Sequence, residues 1–220
     1  MIKIENLSKK YNSKGNSVVA LNEVSLSIEK GEFISIVGPS GSGKTTLLLC
    51  MGGLIHPSVG KVNIDGASIY DLDIKERATF RLRNLGFVFQ TFNLIPYLTA
   101  LENVQIPLSL AGNNNGNQTE RATELLEKLG LGDRLDHKPR ELSIGQQQRV
   151  AIARALANNP KIIMADEPTG NLDPNTTTET VAYLNSLNQT GITVVMVTHN
   201  PGVAEYAQRT LRLVDGRLME

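Results

Sequence analysis

Eight residues, Gly38-Pro39-Ser40-Gly41-Ser42-Gly43-Lys44-Thr45, constrain the fold of this chain more than any other stretch. They satisfy the pattern G-x-x-x-x-G-K-[S/T] through Gly38, Gly43, Lys44 and Thr45. Before them runs Phe33–Val37 (Phe-Ile-Ser-Ile-Val), short and β-rich; after them, Lys44–Met51 has helical character and ends at Gly52-Gly53. A strand, a glycine loop and a helix in that order form the setting this pattern requires. Glycines let successive backbone N–H groups turn inward around phosphate oxygens, and the N-terminus of the following helix adds partial positive charge. Lys44 offers a point charge to the β and γ phosphates, and Thr45 offers a hydroxyl to Mg²⁺. The candidate nucleotide-binding set is therefore Gly38, Pro39, Ser40, Gly41, Ser42, Gly43, Lys44, Thr45 and Thr46. A chance glycine-rich turn would not bring the flanking strand and helix with it.

The rest of the pattern agrees with such a loop. Ile2 and Ile4, then Val24, Leu26 and Ile28, recur at every second position, as in half-buried strands. Val62 and Ile64 resume a strand before the Asp65-Gly66 turn. The middle third reads as helical: a charged helix over 73–83, strand Leu85–Phe89, and a helical pattern over 101–110 interrupted by Pro107. An Asn-rich turn over 113–117 follows. There Asn117 with Glu120 resembles a capping box, opening a helix with Ala122, Leu125, Leu126 and Leu129 on one face. Strands over 161–165, 192–198 and 210–214 alternate with helices over 175–188, led by Pro174, and over 201–206. Strands alternating with helices predict an α/β fold with a mainly parallel, helix-covered sheet.

Composition narrows the classes of partner. Lys+Arg and Asp+Glu balance at 22 each, so no global basic excess calls for nucleic acid or an acidic membrane surface. The single Cys50 excludes an internal disulfide and a multi-cysteine metal site, and its place after Leu47–Leu49 predicts a small core residue. The first residues lack an apolar leader core, and no apolar stretch approaches the ~18 residues of a spanning helix. The expectation is a soluble, cytoplasmic chain that serves any membrane from outside the bilayer.

A second chemical element is the hydrophobic run Ile162-Ile163-Met164-Ala165 ending in Asp166-Glu167. Asp166 at a strand tip would bind Mg²⁺, directly or through water, and Glu167 would polarise the attacking water.

With these elements in place, Leu142-Ser143-Ile144-Gly145-Gln146-Gln147-Gln148-Arg149 resembles the signature of the nucleotide-binding domains of ATP-binding cassette (ABC) transporters, usually Leu-Ser-Gly-Gly-Gln. It precedes a helical run over 146–157 and the acidic strand, as in that family, and the resemblance covers essentially the whole chain. It implies one ABC ATPase domain over 1–220. That domain is a P-loop NTPase with an N-terminal antiparallel β subdomain and an inserted helical subdomain: residues 1–90 and 159–220 form the ATP-binding core, and 91–158 carry the signature. Tyr11 is similar to the aromatic residue that stacks on adenine, and Gln90 to the glutamine that senses Mg²⁺ and the membrane subunit. Asp173, in Asn171-Leu172-Asp173, resembles the loop that crosses between subunits, and His199 the histidine at the γ phosphate. His56 and His137 match nothing and are expected at the surface. Asp173, followed by Pro174, is equally placed to cap a helix. Ile144 departs from the family's glycine, and a β-branched residue there must keep a negative φ.

The resemblance further implies ATP and Mg²⁺ as ligands, and a head-to-tail homodimer. Ser143, Gly145 and Gln146 of one copy would close over the ATP held by the other. It also implies a separate integral membrane permease, with this chain peripheral on the inner face of the membrane. The apolar segment 91–97, with Phe92 and Leu94, is either core packing or the groove that receives that permease. Phrases such as Ala165-Asp166-Glu167-Pro168-Thr169-Gly170-Asn171-Leu172-Asp173 are similar to the branch serving lipoprotein release, macrolide efflux and mechanotransmission. Two other classes share parts of this pattern: a DNA-associated ABC-type ATPase, and a non-hydrolysing subunit that binds ATP only to assemble.

Overall fold

The computed structural model describes residues 1–13, 16–112 and 117–219. Its strands are β1 (Ile2–Ser13), β2 (Asn16–Ile28), β3 (Phe33–Val37), β4 (Val59–Ile64), β5 (Ala67–Ser68), β6 (Leu85–Phe89), β7 (Ile162–Asp166), β8 (Thr193–Thr198), β9 (Arg209–Val214) and β10 (Arg217–Met219). Its α-helices are α1 (Lys44–Met51), α2 (Ile74–Asn84), α3 (Ala100–Leu110), α4 (Gln118–Lys128), α5 (Ile144–Leu156), α6 (Pro174–Gln189) and α7 (Pro201–Ala204).

Two sheets result. One is antiparallel, in the order β2-β1-β4-β5; the other runs β10-β9-β3-β8-β7-β6 and is parallel except for the β10–β9 hairpin. The second sheet is covered on both faces, which is why its strands read as continuous apolar runs. Along β8, Val194 and Met196 face a cluster with α3, α4, α5 and α6. Val195 and Val197 face the opposite cluster, with Leu47 and Leu48 of α1 and the antiparallel sheet. The carboxyl ends of β3, β6, β7 and β8 therefore share one edge, where α/β folds place their ligands.

Local chemistry sets the helix starts. Asp73 and Thr99 form capping boxes with Glu76 and Glu102. The expected box at Asn117 does not form: φ −88° and ψ 0° hold the residue in a turn, so its amide makes no cap bond and only its carbonyl opens α4, accepting from Arg121 N–H. The other residues of that Asn-rich turn, 113–116, lie outside the described residues. Pro107 does not break α3, which continues to Leu110; Asn158 Nδ2 donates to the Pro107 carbonyl at 2.9 Å. The helix after the signature begins at Ile144, two residues before the expected start, because Ser143 is its N-cap. Cys50 is fully buried and its thiol is pushed up to about 11 by that burial, as a core residue should be. His56 is exposed and packs on Tyr70, while His137 is half-buried, its carbonyl accepting from Ala100 N–H.

Candidate nucleotide site

The loop between β3 and α1 is shaped by its neighbours as much as by any ligand. Gly43 lies at φ 100°, and a Cβ there would stand 2.2 Å from the Ala20 carbonyl. A Cβ on Gly38 would stand 2.0 Å from the Leu213 carbonyl. Both glycines are thus demanded by backbone from β2 and β9, whose approach no side chain could tolerate. Ser42 is buried, its hydroxyl without a partner among the described residues, and its carbonyl accepts from Gly216 N–H.

Lys44 is buried, and its ammonium donates to the Gly38 and Pro39 carbonyls, each at 2.9 Å. These partners are neutral, and one donor of the three remains. A buried cation in that state fits a polyphosphate. Thr45 Oγ1 donates to Asp166 Oδ1 at 2.8 Å, joining the first turn of α1 to the tip of β7. Burial raises the Asp166 carboxyl above its ordinary value, and the adjacent Glu167 adds to this, against the lowering by Thr45 and Lys44. A hydroxyl beside a carboxylate that is short of positive charge suits Mg²⁺. Among the described residues no three His, Cys, Asp or Glu side chains cluster, so a metal here would take much of its coordination from phosphate and water, as Mg²⁺ does.

Glu167 is held in the left-handed region at φ 46°, a conformation uncommon for a non-glycine residue. Its N–H donates to the Val197 carbonyl, and Oε2 accepts from His199 N–H at 3.2 Å and lies 3.0 Å from His199 Nδ1. A carboxylate only accepts, so Nδ1 carries the proton in that contact. The second oxygen, Oε1, has no hydrogen-bond partner among the described residues.

Lys44, Thr45, Thr46, Ser40, Gly41, Gly43, Gln90, Glu167 and His199 converge, with Ala20, on a single cleft of about 570 Å³. Tyr11 lies outside that lining; it is half-exposed on β1, paired with Val18, with Lys9 Nζ 5.1 Å from its ring centre. Ser143, Gly145 and Gln146 are also outside it. They stand at the start of α5, where Ser143 Oγ accepts from Gln146 N–H and Gln146 Oε1 accepts from Ser143 N–H. A Cβ on Gly145 would stand 2.8 Å from Thr176 Cγ2, so α6 requires glycine there. Ile144, the residue between them, is exposed and is not among the left-handed residues, as its β-branch demands.

A family model described as ABC transporter matches residues 21–170. An uncharacterized ABC transporter ATP-binding protein of Methanocaldococcus jannaschii is 49% identical over 220 residues, covering 100% of this chain and 98% of that one. The chain belongs to the ABC transporter family. As an ABC cassette it binds and hydrolyses ATP. A macrolide export ATP-binding/permease protein, MacB, of Syntrophobacter fumaroxidans is 47% identical over 219 residues, covering 98% of this chain but 31% of that protein. This ABC chain thus spans about a third of the length of such fused relatives. A solved dimeric structure of the ABC transporter cassette MJ0796 superposes with a TM-score of 0.94 at 49% identity, covering 100% of this chain and 97% of that one. A second MJ0796 dimer, in a post-hydrolysis state bound to ADP and Pi, gives the same TM-score.

Several contacts at this ABC site were not legible in the sequence. Asn171 Nδ2 donates to the Gln90 carbonyl at 2.9 Å, and a Cβ on Gly170 would stand 2.7 Å from Gln90 Nε2. Gln148, fully buried, donates to the Pro168 carbonyl at 2.7 Å. Arg154 reaches back to the turn after β6. The one sequence signal for Arg154 is a charge inside the apolar run Ala151-Ile152-Ala153-Arg154-Ala155-Leu156. Of the two readings of segment 91–97, core packing describes Phe92, which is buried, and Leu94, which packs on the cluster shared by α3, α4, α5 and α6; neither is in the lining of the neighbouring groove, which Asn93 enters.

Proposed function

We propose that two copies of this chain close head to tail around two ATP molecules, and that closing and parting the pair drives a membrane permease. The observation that carries this reading is that Ser143, Gly145 and Gln146 stand outside the cleft built by their own chain's Lys44, Gln90, Glu167 and His199. The Ser143 hydroxyl accepts from Gln146 N–H, which leaves its own proton to donate, and the first N–H groups of α5 point outward with the helix dipole. This is a donor set for an anion held by another copy.

Within each site, the loop N–H groups and Lys44 hold the phosphates. Thr45, Asp166 and Gln90 would hold Mg²⁺, which when bound would supply positive charge to the phosphates. Glu167 takes the proton of the attacking water, aimed by His199. Asp173 contacts the partner copy, and Tyr11 stacks on adenine. The test is Glu167→Gln: turnover falls by about 10²–10⁴-fold, while ATP shifts the protein to a dimer on a sizing column. Undiminished turnover would remove Glu167 as the base; a protein that stays monomeric with ATP would remove the shared site.

A groove of about 610 Å³ supports the permease partner. Leu82, Phe87, Phe89, Ile106, Pro107 and Leu110 give it apolar walls; among the described residues Lys75, Arg81 and Arg154 are its only charged lining residues, and none is acidic. An amphipathic permease segment with acidic residues fits it. Among the described residues no helix is long and apolar enough to cross a membrane, which suits a peripheral place on the cytoplasmic face. The macrolide-export names of fused relatives favour an export or mechanotransmission complex. A DNA-associated ATPase of this class would insert a long coiled coil, whereas α3, α4 and α5 have 11, 11 and 13 residues. Intact Lys44, Asp166, Glu167 and His199 disfavour a non-hydrolysing subunit.

A further inference from the structure

The turn that follows β6 is built in an unfavourable conformation. Phe92 and Asn93 both lie in the left-handed region, at φ 60° and 49°. Asparagine tolerates that region, but phenylalanine has no side-chain polar group to compensate for it. Phe92 N–H donates to the Phe89 carbonyl, and Asn93 N–H to the Thr91 carbonyl, so the chain doubles back within four residues. Gln90 sits inside this reversal.

What holds the reversal from outside is Arg154 of α5. Its Nη2 donates to the Phe92 carbonyl at 2.6 Å and its Nη1 to the Asn93 carbonyl at 2.5 Å. Two parallel N–H groups on a rigid plane match two successive carbonyls, a geometry that guanidinium supplies and ammonium does not. The guanidinium is largely desolvated, and among the described residues no carboxylate is paired with it. A largely desolvated cation held by two neutral carbonyls is costly for a contact with no further consequence. On the other side of the turn, Asn171 and Gly170 seat the Gln90 carbonyl and side chain.

We propose that Arg154 is a positioning residue for hydrolysis: by gripping the Phe92 and Asn93 carbonyls it fixes the left-handed turn that presents Gln90 to the cleft. This rests on the reading that places Gln90 at the Mg²⁺ site. Arg154 itself touches no cleft group, so its effect must pass through Gln90.

The experiment is a double-mutant cycle on ATPase turnover in the full chain, using Arg154→Ala, Gln90→Ala and the pair, with Mg²⁺ titrated at saturating ATP. Arg154→Ala should lower kcat by about 10–100-fold, the effect of a misplaced positioning group. KM for ATP should change little, and more Mg²⁺ should be needed for half-saturation. In the Gln90→Ala background the same change should cost almost nothing further. Arg154→Lys, which keeps charge and stem but loses the fork, should fall between wild type and Arg154→Ala, and it replaces the alanine in the cycle if thermal melting shows the alanine unfolded. Losses that multiply in the double mutant, or an Arg154→Ala enzyme with wild-type kcat, would overturn the role of Arg154. A Gln90→Ala enzyme with wild-type turnover would instead overturn the assignment of Gln90, and the proposal with it.

Discussion

The Gln90 side chain lies over Gly170, so close that a methyl group on Gly170 would stand 2.7 Å from Nε2 and 3.2 Å from Cδ. The glycine after the acidic strand is therefore a seat for the residue assigned to Mg²⁺. Gly170→Ala should leave thermal stability nearly unchanged, because the displaced group is the free end of a flexible side chain. Turnover should fall by about 10–100-fold, since a shift of about an ångström in a positioned group has that effect. Steady-state ATPase assays beside melting curves check both halves.

The Thr45–Asp166 bond leads to a second expectation. Thr45→Val keeps the shape of the side chain but leaves Asp166 Oδ1 without its donor. Half-saturation by Mg²⁺ should rise about 10–100-fold, with ATP binding in the absence of metal largely kept. A magnesium titration of turnover, compared with metal-free nucleotide binding, measures the two effects separately.

Asp173 carries two separable roles. Its Oδ1 accepts from Asn175 and Thr176 N–H and its Oδ2 from Thr176 Oγ1, and these bonds hold its carboxyl below the usual range, that to Thr176 Oγ1 foremost. A lowered value means that this cap is complete above the ordinary carboxylate range and is lost as pH falls through the lowered one. Asparagine caps nearly as well as aspartate. Asp173→Asn should therefore keep α6 and its melting temperature, whereas Asp173→Ala should lower it. If Asp173→Asn also keeps ATP-driven dimerisation, the charge is not needed across the interface.

Cys50 offers a probe of folding. Fully buried, with its thiol pushed to about 11, it should resist thiol reagents at pH 8 and react at the rate of global opening. Labelling in native buffer and in denaturant gives the contrast; fast native labelling would contradict the burial.

At the signature, Ile144→Gly acts on an exposed residue at the first position of α5. Stability should fall by no more than about 1 kcal/mol, the cost of glycine in a helix. ATPase assays of the variant decide whether isoleucine restrains the site; a large gain in turnover would mean that it does.

Local patterns in the sequence are enough for the α/β class, the strand–loop–helix at 38–45, the acidic tip at Asp166-Glu167 and the order of the longer strands and helices, but not for the short β5 and β10. These depend on local periodicity and turn chemistry, which act over a few residues. Strand Leu85–Phe89 and helix Lys44–Met51 were legible residue by residue, because glycines and hydrophobic runs bound them. The folded structure alone explains why Gly38 and Gly43 must be glycine, since their close neighbours, Leu213 and Ala20, come from other strands. It also decided the turn of Glu167 toward His199, the seat of Gln90 on Gly170, and the grip of Arg154 on a turn 62 residues earlier. Each of these is a side chain meeting backbone or another side chain across the chain, and no local pattern encodes which carbonyl a buried guanidinium will reach.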